Sequence, residues 1–176
     1  MAGCKSSALG LLGRREYSRY MLQEKLLQKK FSPEVVEETL NDLETTGWLS
    51  DARFTECYIR YRAGQGYGPI KIRFELLQKK GISQSIVEQA FVETEVVWSE
   101  VLQNSIKRIS RSDEIPLEID ESLEINSAEE MTSVEKMNEK KRYLKQKSKA
   151  MNTLLRRGFN SENIRKCIRA VEGECK

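Results

Sequence analysis

The side chains in this sequence best suited to chemistry are cations, and what they offer is recognition of anions. Arg60, Arg62, Lys71 and Arg73 flank a Gly66-Tyr67-Gly68 turn, and Arg53 stands earlier, just after Ser50. Lys79-Lys80 and Arg156-Arg157 are adjacent pairs, and a third pair, Lys29-Lys30, matches them. Lys140, Lys141, Arg142 and Lys145, followed by Lys147 and Lys149, form a dense cationic run. Arginine and lysine neutralise phosphates, and a tyrosine such as Tyr67 can stack on a base or on a partner side chain. A competing account needs no partner. Cations at helix C-termini oppose the negative end of the helix dipole, worth ~0.3–1 kcal/mol each, and charged faces are commonly just solvated.

Other chemistries lack their residues. None of the 176 residues is histidine. Ser-His-Asp and Cys-His nucleophilic catalysis therefore have no base, and histidine metal sites have no ligand. Cys4, Cys57, Cys167 and Cys175 show no C-x-x-C spacing, so a zinc site is not expected and free thiols in a reducing cytosol are. Asp42, Glu44 and Asp51 lack a D/E-x-K signature, and no phosphate-binding G-x-x-x-x-G-K-S/T loop occurs. The expectation is a non-enzyme with no catalytic, cofactor-binding or metal-ligating residues. Met1–Ser7 holds no signal-peptide core, and no apolar run approaches the ~20 residues of a spanning helix. A cytoplasmic protein with no membrane partner is expected, as a monomer.

The net charge of +3 hides a strong asymmetry. Residues 1–111 carry +3, residues 112–135 carry −9 with no basic residue, and residues 136–176 carry +9. A basic body suits nucleic acid or an acidic protein surface. The acidic stretch contains Pro116 and reads as a flexible insertion that could shield the basic surface from non-cognate polyanions.

These side chains need positioning elements, and the apolar residues say which. They recur at three and four, the helical period, and long alternation is absent. Ser18 can cap a helix bearing Met21, Leu22, Leu26 and Leu27. Ser32 caps the next, with Pro33 at its first position, Glu34 at the positive end of its dipole, and Val35, Val36, Leu40 and Leu43 on one stripe. Gly47 fits just past its end. Ser50 caps a helix with Phe54, Tyr58 and Tyr61, and Asp51 and Arg53 fall in its first turn. Trp48 is expected in the core or between repeats. Gly68-Pro69 opens another helix with Ile70, Phe74 and Leu77 at i, i+4, i+7. Three segments align. Leu26-Leu-Gln-Lys-Lys-Phe31-Ser32 matches Leu77 through Ser83 at an offset of 51, and Leu154-Leu-Arg-Arg-Gly-Phe159-Asn160 matches the second at an offset of 77. Each reads as helix, tight turn, helix, with Ser32, Ser83 and Asn160 as equivalent caps. Short helices are marginal alone and bury a core by stacking. The expectation is an all-α, elongated, curved solenoid. Its boundaries are a first repeat at 5–62 with the start of the second, a second at 50–111, the acidic insertion at 112–135 and a third at 136–173.

The motif series resembles a known family. It comprises Ala8-Leu9-Gly-Leu-Leu12, Arg15-Glu16-Tyr17-Ser18, Gly47-Trp48-Leu49-Ser50-Asp51-Ala52-Arg53-Phe54, Arg62, Gly66-Tyr-Gly68-Pro-Ile-Lys71-Ile72, Glu75-Leu76, Lys80-Gly81-Ile82 and Leu155-Arg-Arg157-Gly158-Phe159. In order and spacing it is similar to the RecX family, bacterial regulators of the recombinase RecA, over about residues 8–110 and 140–171. The resemblance implies three tandem three-helix repeats and a protein that is not itself an enzyme. It also implies a partner, the RecA filament on single-stranded DNA, bound in its helical groove with loss of filament growth, ATP hydrolysis, strand exchange and co-protease activity. Homologous recombination, DNA repair and the SOS response would be its setting. Arg15-Glu16-Tyr17-Ser18 is read as setting the turn into the second helix. The sequence departs from the family pattern at Lys30, where glycine is expected, and in the length of the acidic insertion. Without the resemblance, the same cations would suit a general DNA- or RNA-binding helical module.

Overall fold

The helical period is realised throughout the computed structural model, which describes residues 2–113 and 133–173. Nine α-helices form among the described residues, and no strand does. They are α1 (Ala2–Leu12), α2 (Arg19–Gln28), α3 (Pro33–Thr45), α4 (Asp51–Gly64), α5 (Pro69–Lys79), α6 (Gln84–Glu93), α7 (Trp98–Asp113), α8 (Ser133–Arg156) and α9 (Ser161–Gly173). The acidic insertion expected at 112–135 lies, between residues 114 and 132, outside the described residues.

Local chemistry explains where the helices start. Ser18 and Ser50 accept hydrogen bonds from the N–H groups of Met21 and Arg53, closing the first turns of α2 and α4. Asn160 Oδ1 does the same for the Glu162 N–H of α9. Ser32 and Ser83 occupy the equivalent cap positions but make no side-chain cap bond. At Ser32 the fixed φ of Pro33 at the first position already sets the helix direction. Ser83 Oγ pairs instead with Ser85 Oγ.

The turns after α2, α5 and α8 share one backbone shape. Gly81 (φ 67°) and Gly158 (φ 88°) take the left-handed conformation, and so does Lys30 (φ 66°). The repeat therefore keeps its turn where glycine is missing, against a left-handed penalty of roughly 1–2 kcal/mol for a residue with a Cβ. Lys30 N–H donates to Leu27 O and Phe31 N–H to Leu26 O, the pairing that Gly158 and Phe159 make with Leu155 and Leu154. The next residue, Ile82 or Phe159, is buried in its own unit.

The chain divides into two compact units. Unit 1 takes in residues up to Gln65 together with Ile72–Val96, and unit 2 takes in Gly66–Lys71 together with residues from Val97 onward. In unit 1, Ala8, Leu22, Leu26, Val36, Leu40 and Leu43 are fully shielded between α1, α2 and α3. Ile59, Ile72, Leu76 and Val87 are as deeply buried on α4, α5 and α6. In unit 2, Leu102, Ile106 and Ile109 of α7 pack with Leu154 of α8 and Phe159, Ile164 and Ile168 of the turn and α9. Each such side chain stabilises by about 1.5–3 kcal/mol through burial, before the entropy of ordering it.

Three expectations are corrected. The buried face of α5 is Ile72, Glu75 and Leu76, while Ile70 and Phe74 are each 56% exposed. Two stripes on this short helix have helical spacing, and the packed one includes an ion-paired carboxylate that hydropathy alone discounts. Trp48 is 58% exposed, and neighbouring Leu49 fills the core position. The turn at Gly47 (φ 75°) ends with Leu49 N–H bonded to Leu43 O, so the indole falls outside. Tyr61, expected on the apolar face of α4, is also exposed, because Phe54, Ile59 and Ala63 form the buried face.

Candidate functional site

Most candidate cations of unit 1 are engaged within the fold. Arg62 makes a bidentate pair with Glu75, at 2.9 Å from Nε and 2.7 Å from Nη2, and Tyr58 Oη donates to the same carboxylate at 2.9 Å. The two charged side chains are only 15% and 8% exposed. Burial, then the bond to Glu75, pushes the Tyr58 phenol up to about 12. Arg53 Nε meets Glu16 at 2.7 Å, and its other nitrogens donate to the carbonyls of Gly47 and Trp48. That guanidinium holds the α3–α4 turn and ties it to the Arg15-Glu16-Tyr17-Ser18 segment. Arg73 pairs with Glu88 at 3.1 Å and lies over the Phe91 ring, 4.0 Å from its centroid. Arg60 pairs with Glu56 at 3.4 Å across one exposed turn, an interaction worth little. Lys79 is exposed at the end of α5, and Lys80 Nζ stands 5.5 Å over the Tyr58 ring.

Sequence reasoning passed over a further cation, Arg19. Its guanidinium meets Glu37 and Glu44, each at 2.5 Å, and Asn41 at 2.8 Å. Its N–H donates to Asp51 Oδ1 at 2.7 Å. Burial raises the Asp51 pKa above the ordinary carboxylate value, and the Arg19 bond and charge oppose that rise. Asp51 thus satisfies a free N–H at the start of α2 as well as standing in the first turn of α4.

In unit 2 the Gly66-Tyr67-Gly68 turn is a docking element. Gly68 N–H donates to Arg157 O at 2.7 Å and Ile70 N–H to Gly158 O at 3.2 Å. A Cβ on Gly68 would strike the Gly158 backbone, and one on Gly158 would strike Lys71. Lys71 Nζ reaches Arg156 O at 3.4 Å and stands 4.9 Å over the half-buried Tyr67 ring. Arg156 Nε bonds back to Asn152 O, and Arg157 is half-buried with its Nη1 unpartnered. Unit 1 contains the same device, where Ser18 Oγ donates to Lys80 O at 2.7 Å and Gly81 lies against Tyr20. A helix entry sits on a repeat turn in both places, which explains glycine there and a Tyr67-Gly68 that follows Tyr17-Ser18 in kind.

The run on α8 differs. Lys140, Lys141, Arg142 and Lys145 are exposed, and none makes an ion pair among the described residues. Lys147 Nζ contacts Tyr143, 3.3 Å from Oη. No residue of 140–149 is buried, and among the described residues the helix packs on its core through Ala150, Met151 and Leu154. Among the described residues, no group of three or more His, Cys, Asp or Glu side chains could hold a metal ion.

Two family models match the chain: RecX, first three-helix domain, over residues 4–43, and RecX, second three-helix domain, over residues 50–90. Regulatory protein RecX of Mannheimia succiniciproducens is 44% identical over 103 residues, 58% of this chain and 67% of that protein. The Regulatory protein RecX of Haemophilus influenzae strain PittEE is 40% identical over 100 residues, 57% of this chain and 66% of that protein. One from Pseudomonas putida is 44% identical over 104 residues, 59% of this chain and 72% of that protein. A crystal structure of RecX from Lactobacillus salivarius aligns over 96% of this chain and 94% of its own, with a TM-score of 0.67 at 20% identity, a likeness of fold. With tandem three-helix domains, that fold and a 44% identical relative covered over two thirds of its length, the chain belongs to the RecX family of regulatory proteins.

Proposed function

We propose that this chain regulates RecA. It binds RecA filaments on single-stranded DNA, lies in their helical groove, and limits filament growth, ATP hydrolysis, strand exchange and co-protease activity. Membership of the RecX family carries this reading. The chain acts as a cytoplasmic monomer in homologous recombination, DNA repair and the SOS response, and is not an enzyme. No helix among the described residues is long and apolar enough to cross a membrane. Its repeats, at 5–62, 50–111 and 136–173, supply the filament contacts, with cations of α4, α5 and α8 as candidates.

The exposed cations of α8 favour a second reading, a general DNA- or RNA-binding helical module that needs no recombinase. The cognate RecA's single-stranded-DNA-dependent ATPase rate, measured as this protein is titrated in, separates the two. Inhibition well below one molecule per RecA supports capping of filament ends. Inhibition only near equal ratios supports groove coating or competition for DNA. An unchanged rate at every ratio removes the RecA reading and leaves the general binder.

A further inference from the structure

A groove runs between α8 and α9 within unit 2, with a cavity volume of about 310 Å³. Lys147, Arg165 and Arg169 stand around it, Ser148 adds a hydroxyl, and Met151 and Ile168 form an apolar floor. Arg165 and Arg169 are exposed, one helical turn apart on α9, and make no ion pair among the described residues. Residues 140–161 contain no carboxylate at all. The nearest acid on α9, Glu162, is held by Lys166 at 2.7 Å, a bond that lowers its pKa. The groove lies beyond the residues matched by the two family models.

We infer that this groove binds a single strand of nucleic acid, with phosphates on Arg165, Arg169 and Lys147 and an unstacked base on the Met151–Ile168 floor. Two features together select this occupant. The α8 wall has no carboxylate from residue 140 onward, so the field along it favours a polyanion. The floor is apolar and carries a thioether, a surface that receives an aromatic face. A duplex offers phosphates but keeps its base faces stacked, whereas a single strand offers both. An acidic peptide would satisfy the arginines without filling the floor. Lys141 and Lys145, at i and i+4 on α8, continue the cationic track beyond the groove. The site sharpens the proposed function by dividing labour: unit 2 touches the nucleic acid directly. It needs no recombinase, and so stands or falls separately from the RecA reading.

The test is fluorescence anisotropy of the full chain with a labelled oligothymidylate, without recombinase, across a salt series. Combined Arg165→Ala and Arg169→Ala should weaken binding roughly ten-fold at low salt and lower the salt slope by about 1.4, near 0.7 for each phosphate no longer neutralised. Arg165→Lys with Arg169→Lys should recover most of the affinity, and Lys25→Ala, on α2 and outside the candidate cations, should change it less than two-fold. The abasic strand and the matched duplex should each bind several-fold more weakly than the oligothymidylate. Circular dichroism checks that every variant keeps its helices. Unchanged binding by the double alanine variant overturns the site. Equal binding of the duplex or abasic strand, or equally effective competition by polyglutamate, overturns the single-strand assignment.

Discussion

In unit 1, Arg19, Arg53, Arg62 and Arg73 each meet a carboxylate of the same unit, whereas Lys140, Lys141, Arg142 and Lys145 on α8 meet none among the described residues. Both sets are cations, one spread along the chain from Arg19 to Arg73 and the other clustered from Lys140 to Lys145, and their surroundings differ. Arg62 and Tyr58 share the buried Glu75 carboxylate, so removing that carboxylate takes a counter-charge from a mostly buried guanidinium. Lys141 stands in water and loses nothing locally when changed. Charge in a sequence therefore marks two unlike things here, cations that hold helices together and cations exposed to solvent.

The comparison can be broken where the effect is largest. Glu75→Gln removes the negative charge beside Arg62 and leaves one acceptor oxygen where Arg62 and Tyr58 shared two, and should lower stability by about 3 kcal/mol in urea denaturation, the lower range for a broken buried pair. A loss below about 1 kcal/mol would place unit 1 with the exposed lysines and end the contrast. Gly158→Ala probes the docking turn of unit 2, where the new Cβ meets the Lys71 backbone at a positive φ. Crowding and backbone strain should together remove roughly 2–3 kcal/mol, read as an earlier thermal midpoint.

Smaller effects sharpen it. Lys30→Gly puts glycine where the other two repeat turns have it, and should stabilise by about 0.5–1 kcal/mol. An unchanged urea midpoint would mean that Lys30 offsets its strain elsewhere. Tyr58 has a pH signature. Its folded pKa lies near 12, above the ordinary value of 10.0, so its contribution is complete below pH 10 and fades as pH rises towards 12. Because the phenol is partly exposed, the contribution is at most about 1 kcal/mol after solvent screening. Absorbance titration of Tyr58→Phe should lose a tyrosine step near pH 12. Finally, Lys141→Gln with Lys145→Gln should move stability by less than about 0.5 kcal/mol. A cooperative melting shift of several degrees would show that α8 cations belong to the fold after all.

How much was legible follows from these examples. Ser18, Ser50 and Asn160 could be read as caps because a cap depends on residues two or three positions away. Gly81 and Gly158 could be read because a left-handed turn restricts residue type. Glu75 was invisible as a core residue, since its burial depends on Arg62, 13 positions earlier. Arg165 and Arg169 left a signal, an i, i+4 pair beside the apolar Ile164 and Ile168, but only the packing of α8 on α9 turns that pair into one wall of a groove.

By itself the sequence determined the helices, their ends, the threefold turn and the absence of histidine chemistry, because each depends on neighbours in the chain or on composition. Tertiary structure alone decided which stripe of α5 faces inward, that Leu49 rather than Trp48 enters the core, and that Gly68 must be glycine to lie against Gly158. It also decided which cations are ion-paired and which are exposed. Those outcomes depend on groups distant in sequence, and the free energy of a charge is set by what surrounds it after folding.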